Sequence, residues 1–152
     1  MDTVDQQYFQ SQVSPQIDGK LIQFVGEADY YQKRQLLSKA QCLVATINWP
    51  EPFGLFMVEA MACGTPVVAL KRGSAPEVVF HGVTGFVVNT LEEMMDAIGQ
   101  VKQIDPKRCR EYVELRFDVP RMADDYLLAY QRILETEAKW SGSVVGSGMF
   151  SN

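Results

Sequence analysis

The sequence is poor in the residues that metal and disulfide chemistry use. Among 152 residues there is one histidine, His81, and three cysteines, Cys42, Cys63 and Cys109. The cysteines are odd in number, widely spaced and without any C-x-x-C pairing. That excludes a disulfide framework and a zinc site of the usual spacing, and it fits reduced or buried thiols in a cytosolic chain. Positive charge is also short: 14 Lys and Arg against 19 Asp and Glu give a net charge of −5. A nucleic-acid surface normally announces itself as a basic patch, so no nucleic-acid partner is expected. No apolar run approaches the roughly 20 residues a membrane-spanning helix needs, and the acidic residues 1–5 carry no signal-peptide segment. The chain is therefore expected to be cytoplasmic and without a transmembrane segment, which leaves peripheral membrane contact open. It contains no internal repeat.

What is present describes an ordinary globular protein. Apolar residues make up 47% and charged residues 22% of the chain, enough to bury a core in one domain. Residues 1–140 read as that single domain. The Ser- and Gly-rich residues 141–152 read as a flexible tail. A short helix with Tyr8, Phe9 and Val13 on its buried side is expected over 5–13, closed by Ser14-Pro15. Apolar, β-branched runs predict strands at 21–26, 42–47, 66–70 and 86–88. Helical spacing predicts helices at 30–40, 55–63, 75–80, 91–101, 106–117 and 120–138. Strands alternating with helices make this an α/β chain with a parallel sheet covered by helices. Ligands of such sheets sit beyond the carboxyl ends of the strands, where Glu51 and Gly73 both fall.

One stretch organises the rest: Glu51-Pro52-Phe53-Gly54-Leu55-Phe56-Met57-Val58-Glu59, running on to Gly64-Thr65-Pro66. Pro50 and Pro52 bracket a turn, and Gly54 lets the backbone swing sharply into a helix. Gly64 and Pro66 end it. The helix is apolar on every side except Glu59, so it should be buried, and a carboxylate within it needs a partner or a reason. An isolated helical Glu is ordinarily a solvated one; the greasy surroundings and Glu51 set this one apart. The amides of Gly54, Leu55 and Phe56 would lie between the two carboxylates, at the positive end of the helix dipole. Such a mouth suits an anionic or hydroxyl-rich ligand.

From about Val25 to Val88 the chain resembles the retaining glycosyltransferases of family four, the group one enzymes of GT-B fold. The likeness rests on E-P-F-G-L-x-x-x-E-A-M-A-C-G-T-P-V-V, which is similar to their E-x7-E signature. It implies the partial C-terminal, donor-binding half of a GT-B fold, a Rossmann-like sheet with a long last helix. It implies Glu51 on the donor sugar as the catalytic residue, Phe53, Gly54 and Leu55 on sugar and diphosphate, and Glu59 on the ribose. Gly73-Ser74-Ala75-Pro76-Glu77 resembles the family's G-G-x-x-E loop, with Ser74 in place of the second glycine and Gly73 near the sugar. Lys71 and Arg72 follow the third strand and are candidates for phosphate contact. Glu77 reads as a dipole-favoured structural carboxylate, His81 and Thr84-Gly85 as turn residues, and Trp49 as a packing anchor for its loop.

The resemblance implies a nucleotide-sugar as substrate, with no cofactor and no metal. It also implies two strands upstream of 21–26 and an acceptor-binding domain, neither of which has an equivalent here. A homodimer, or another chain supplying the acceptor domain, is the expected partner. The alternatives are a non-catalytic module that binds a nucleotide or assembles with a full-length enzyme, and a nucleotide-sugar enzyme of another type such as an epimerase. Neither the base nor the sugar is marked by any residue.

Overall fold

The computed structural model describes residues 3–145. The chain divides into two compact units, Met1–Gln35 and Leu36–Asn152, set against the single domain over 1–140 that the sequence suggests.

In the first unit, α1 (Thr3–Tyr8) runs on through a π-helical stretch (Phe9–Val13) into a 3₁₀ turn (Ser14–Gln16). None of these residues is buried, which corrects the expected buried side at Tyr8, Phe9 and Val13. The strand expected at 21–26 does not form either. Asp18 Oδ1 instead accepts from the backbone N–H groups of Lys20, Leu21 and Ile22 at 2.8, 2.8 and 2.9 Å. A strand needs a neighbour to bond, and a local aspartate turn captures the same donors where no neighbour lies alongside. Leu21 is accordingly 93% exposed. The donors of Ile22 and then Lys20 hold the Asp18 carboxyl below its ordinary range. Helix α2 (Tyr30–Lys39) starts on a reciprocal cap. Asp29 Oδ1 accepts from Gln32 N–H at 2.8 Å and Gln32 Oε1 accepts from Asp29 N–H at 3.2 Å.

The second unit holds the sheet. Strands β1 (Leu43–Ala45), β2 (Val67–Leu70) and β3 (Gly85–Val88) lie in that order, all parallel. Between them run α3 (Leu55–Ala62) and α4 (Ala75–Val78), and after them α5 (Leu91–Gln100), α6 (Pro106–Arg116) and α7 (Val119–Val145). The central strand explains the layering. Val67 and Ala69 face the cluster built by Met57, Met61 and Cys109 of α3 and α6. Val68 and Leu70, pointing the other way, meet Met94 and Ala97 of α5. Alternating side chains thus serve both faces, and the strand is apolar throughout because both are covered. The parallel sheet flanked by helices is the expected α/β fold, with a long final helix.

Caps set the helix ends. Thr90 Oγ1 accepts from Glu93 N–H to start α5, and Asp105 Oδ1 accepts from Lys107 N–H before Pro106 opens α6. The last helix continues past the expected end at 138 and takes in residues 141–145. Ser and Gly weaken a helix by only about 0.5–1 kcal/mol each relative to alanine, and an established helix has merely to propagate. The remaining part of the expected tail, 146–152, lies outside the described residues.

Cys109 is fully buried against β2, α3 and the Thr84 carbonyl. Burial, helped by the nearby Asp105 charge, pushes its thiol from 9.0 up to about 11. The folded state then holds this proton more tightly than the unfolded chain does. The corresponding stability is present below pH 9 and is lost as pH rises through 11. Thermal melting from pH 8 upward should show this decline, and a Cys109→Ala variant should lack that component of the slope.

Candidate functional site

Two loops meet at the carboxyl ends of β1 and β2. The loop after β1 carries Asn48, Trp49 and Glu51; the loop after β2 carries Lys71 to Ser74. Arg72 Nη1 donates to Asn48 Oδ1 at 2.6 Å, and Ser74 N–H donates to the Glu51 carbonyl at 2.9 Å. Gly73 makes the clasp possible. Its φ is +50°, and a Cβ there would stand 2.4 Å from both the N and the O of Glu51. A glycine is required by loop-to-loop contact as much as by the turn itself.

Within this clasp the Glu51 side chain is fixed by its own loop. Oε1 accepts from Gly54 N–H at 3.2 Å and Oε2 accepts from Trp49 Nε1 at 3.2 Å. Trp49 is exposed, which corrects its expected role as a packing anchor: it holds the carboxylate and does not fill a core. The Gly54 amide, expected to be open, is taken by Glu51. Gly54 itself turns the chain into α3 with φ +75° and no side-chain cap. The next amides, those of Leu55 and Phe56, begin the helix with no preceding turn to bond, so the mouth keeps donors and the positive dipole end.

Helix α3 is only half covered. Met57, Val58, Ala60 and Met61 are buried, while Leu55 is 65% exposed and Phe56, Glu59, Ala62 and Cys63 are half-buried. This corrects the expectation of a helix buried all round. The composition is apolar on every side, but the sheet has only one face to offer it. Glu59 lies four residues after Leu55 and therefore on the same open face.

A cleft of about 860 Å³ opens at this mouth. Glu51, Phe53, Gly54 and Leu55 line one side; Arg116 and Phe117 at the end of α6 and Met122, Asp125 and Tyr126 of α7 line the other. Phe53 and Phe117 meet edge to face across it, with centroids 5.9 Å apart. Asp125 is already paired with Arg121 at 2.9 Å. Four of the residues singled out in the sequence are thus brought together. Glu59, Gly73, Lys71 and Arg72 do not line this cleft: Glu59 sits on the open helix face beyond it, Gly73 and Arg72 fasten the loops, and Lys71 faces a separate cavity. The α6–α7 residues were not legible beforehand, since only the Asp118-Val119-Pro120 break between two helical patterns marks the bend that swings them over Glu51.

Ser74, in the position where glycine would match the resembled loop, has a buried hydroxyl without a hydrogen-bond partner among the described residues. Its φ of −74° suits alanine as well. Removing an unsatisfied buried hydroxyl should be stabilising. Ser74→Ala is expected to raise the stability by about 1 kcal/mol, read as a higher urea midpoint at unchanged m.

The parallel sheet, the clasped loops and the half-open helix mouth define an α/β protein with a cleft beyond the strand ends, and comparison with known proteins gives its family. Residues 6–115 match the family described as "Glycosyl transferases group 1". The chain belongs to that family, and its α/β fold is the partial C-terminal half of a GT-B fold. It is 36% identical over 101 residues to D-inositol 3-phosphate glycosyltransferase of Mycolicibacterium smegmatis, covering 63% of this chain and 23% of that protein. It is 30% identical over 112 residues to a probable sucrose-phosphate synthase of Thermosipho melanesiensis, covering 72% of this chain and 26% of that protein. Among solved structures, Anabaena Alr3699/HepE in complex with UDP-glucose superposes with a TM-score of 0.59 at 30% identity, over 90% of this chain and 36% of that one. Sucrose-phosphate synthase of Thermosynechococcus elongatus gives 0.69 at 26% identity, over 88% and 35%. The chain thus spans about a quarter of the length of these curated relatives. Among the described residues, no helix is long and apolar enough to cross a membrane.

Proposed function

We propose that the chain binds the donor of a retaining hexosyl transfer, a nucleoside-diphosphate sugar, at the Glu51 cleft. The carrying observation is the fixed Glu51 carboxylate beside the uncapped start of α3. Its remaining lone pairs accept from sugar hydroxyls, as two protein donors already hold both oxygens in place. The diphosphate lies at the helix mouth, where amides and dipole favour negative charge. Glu59, on the same helix face, accepts from the ribose hydroxyls. Arg72 is fastened to Asn48, so it acts on the loop first and on phosphate only through its remaining donors. That the Anabaena neighbour was solved with UDP and with UDP-glucose supports this donor class.

In the transfer, the bond from the anomeric carbon to the phosphate oxygen breaks and its electron pair leaves with the diphosphate. An acceptor hydroxyl bonds the same face of the carbon, and its proton goes to the departing oxygen. The helix mouth favours this step because the new charge develops where the fixed donors point. No metal or cofactor takes part in the scheme. The acceptor binds outside this cleft, and a second copy or a chain carrying an acceptor domain is a proposed partner for it. This also accommodates a second reading, a donor-binding module without turnover of its own. The exposed Tyr126, Leu127, Leu128, Tyr130, Ile133 and Leu134 of α7 favour such assembly.

Calorimetry with UDP and UDP-glucose tests the site. Glu51→Gln should weaken UDP-glucose by about tenfold more than UDP, because the sugar contact is made only by the sugar-bearing ligand, while the loss of one of the two bonds that fix the side chain touches both. Glu59→Ala should weaken both ligands, by about 10–100-fold. Equal affinity of the wild type and Glu59→Ala for UDP would remove the ribose assignment, and no binding of either ligand by the wild type would end the proposal.

A further inference from the structure

A second cavity, of about 890 Å³, lies beyond the carboxyl ends of β2 and β3. Lys71 and Asn89, the residues that directly follow those strands, form part of its wall; Glu77 and Phe80 come from α4 and the turn after it, and Tyr112 and Arg116 from α6. The donor reading makes no use of this space, apart from Arg116, which borders both cavities.

Its charges are arranged unusually. Lys71 and Glu77 are exposed and line one cavity, yet neither is in an ion pair among the described residues. Arg116 is held by the face of Tyr112, 5.6 Å from the ring centroid, rather than by a carboxylate. Two cations and one carboxylate therefore line the same cavity with no ion pair between them among the described residues. A ligand that satisfies them carries an anion for Lys71 and Arg116, and hydroxyl donors for the Glu77 carboxylate, which only accepts. The floor is aromatic. Phe80 and Tyr112 lie 6.0 Å apart at 40°, a tilted pair that offers apolar ring surface but no two parallel faces to sandwich a nucleobase.

We propose that this cavity binds a small anionic sugar, a hexose bearing a phosphate or a carboxylate. Lys71 and Arg116 take the anion, Glu77 and Asn89 take the hydroxyls, and the apolar face of the sugar ring lies on Phe80 and Tyr112. The surplus of one positive charge in the lining matches the anion. His81 borders the site but is occupied through Nδ1 with the backbone of Val87. This site does not rest on the donor reading, because its ligand lacks a nucleotide and its residues, Arg116 apart, are not those of the Glu51 cleft.

The test is calorimetric titration of the full chain with glucose 6-phosphate, glucuronate, glucose and inorganic phosphate, repeated for Lys71→Gln and Glu77→Gln. Both substituted side chains are exposed and unpaired, so the fold should be unaffected. Glucose 6-phosphate or glucuronate should bind at least about tenfold more tightly than glucose or inorganic phosphate, and the stronger of the two identifies the anion. Lys71→Gln should weaken that ligand by about tenfold. Glu77→Gln should weaken it as well but strengthen inorganic phosphate, since it removes both a hydroxyl acceptor and a repelling charge. Inorganic phosphate binding as tightly as the anionic sugars would reduce the site to a cationic patch and overturn the proposal. So would unchanged affinities in both variants, or no binding at all. Failure of the donor reading is seen separately, in the UDP titrations.

Discussion

Gly85→Ala is expected to abolish cooperative folding of the second unit. Gly85 opens β3 directly opposite Val67 of the central strand. A Cβ on Gly85 would fall 1.9 Å from the Val67 carbonyl oxygen and 2.8 Å from its C and N. Each of those atoms is backbone of a fully buried residue, so no side chain can swing away to make room. Relief requires β3 to move off β2, which gives up the Val67 N–H bond to the Thr84 carbonyl and the parallel register together. Steric failures of this type fall in the rare class above about 4 kcal/mol, comparable with the whole stability of a small domain at about 5–15 kcal/mol. Gly82→Ala is the matched control. Gly82 has φ +78° but nothing within 4 Å of its added Cβ, so only the left-handed backbone penalty of about 1–2 kcal/mol applies. Urea unfolding followed by circular dichroism should give Gly82→Ala a shifted but sharp transition and Gly85→Ala none. A wild-type midpoint for Gly85→Ala would mean that the β2–β3 register differs from the one described.

The second large effect is expected at the site itself. Gly73→Ala places a Cβ 2.4 Å from the backbone N and O of Glu51 and 2.8 Å from the Pro50 carbonyl carbon, at φ +50°. Left-handed strain contributes about 1–2 kcal/mol, and separating the two loops breaks the Ser74-to-Glu51 bond for about 1 kcal/mol more. The total, about 2–3 kcal/mol, lowers stability without dismantling the sheet, since both loops lie beyond the ends of the strands. Binding should suffer more than folding. The Glu51 loop is held in position by this contact, so its displacement removes the sugar contact of Glu51 and disturbs the neighbouring Phe53 and Gly54. UDP-glucose affinity should therefore fall by about tenfold or more while the circular dichroism spectrum stays unchanged. Retained affinity would show that the cleft does not depend on where the clasp puts Glu51.

Local signals in the sequence reached a good deal of this. Helix ends were marked by residues whose chemistry is decided within one turn: Gly54 and Gly64 around α3, Pro106 opening α6. The apolar run of β2 announced a strand covered on both faces, and Val67 to Leu70 are divided between the two clusters accordingly. The failures share one cause. Residues 21–26 have the pattern of a strand, but a pattern supplies no neighbour, and Asp18 took the amides instead. Helix α3 is greasy all round, but how much of it is covered depended on what else packs there. Trp49, expected as a packing anchor for its loop, is exposed and donates to the Glu51 carboxylate.

By itself the sequence determined the alternation of strands and helices, the bend at Glu51 to Gly54, and one carboxylate before α3 with another within it, because backbone preferences and periodicity act over a few residues. Tertiary structure alone decided that α6 and α7 wall the Glu51 cleft, that Arg72 is a fastening rather than an open cation, and that Lys71 belongs to a different cavity. Those outcomes depend on which segments, distant in the chain, come within bonding reach, and short-range preferences carry no record of that.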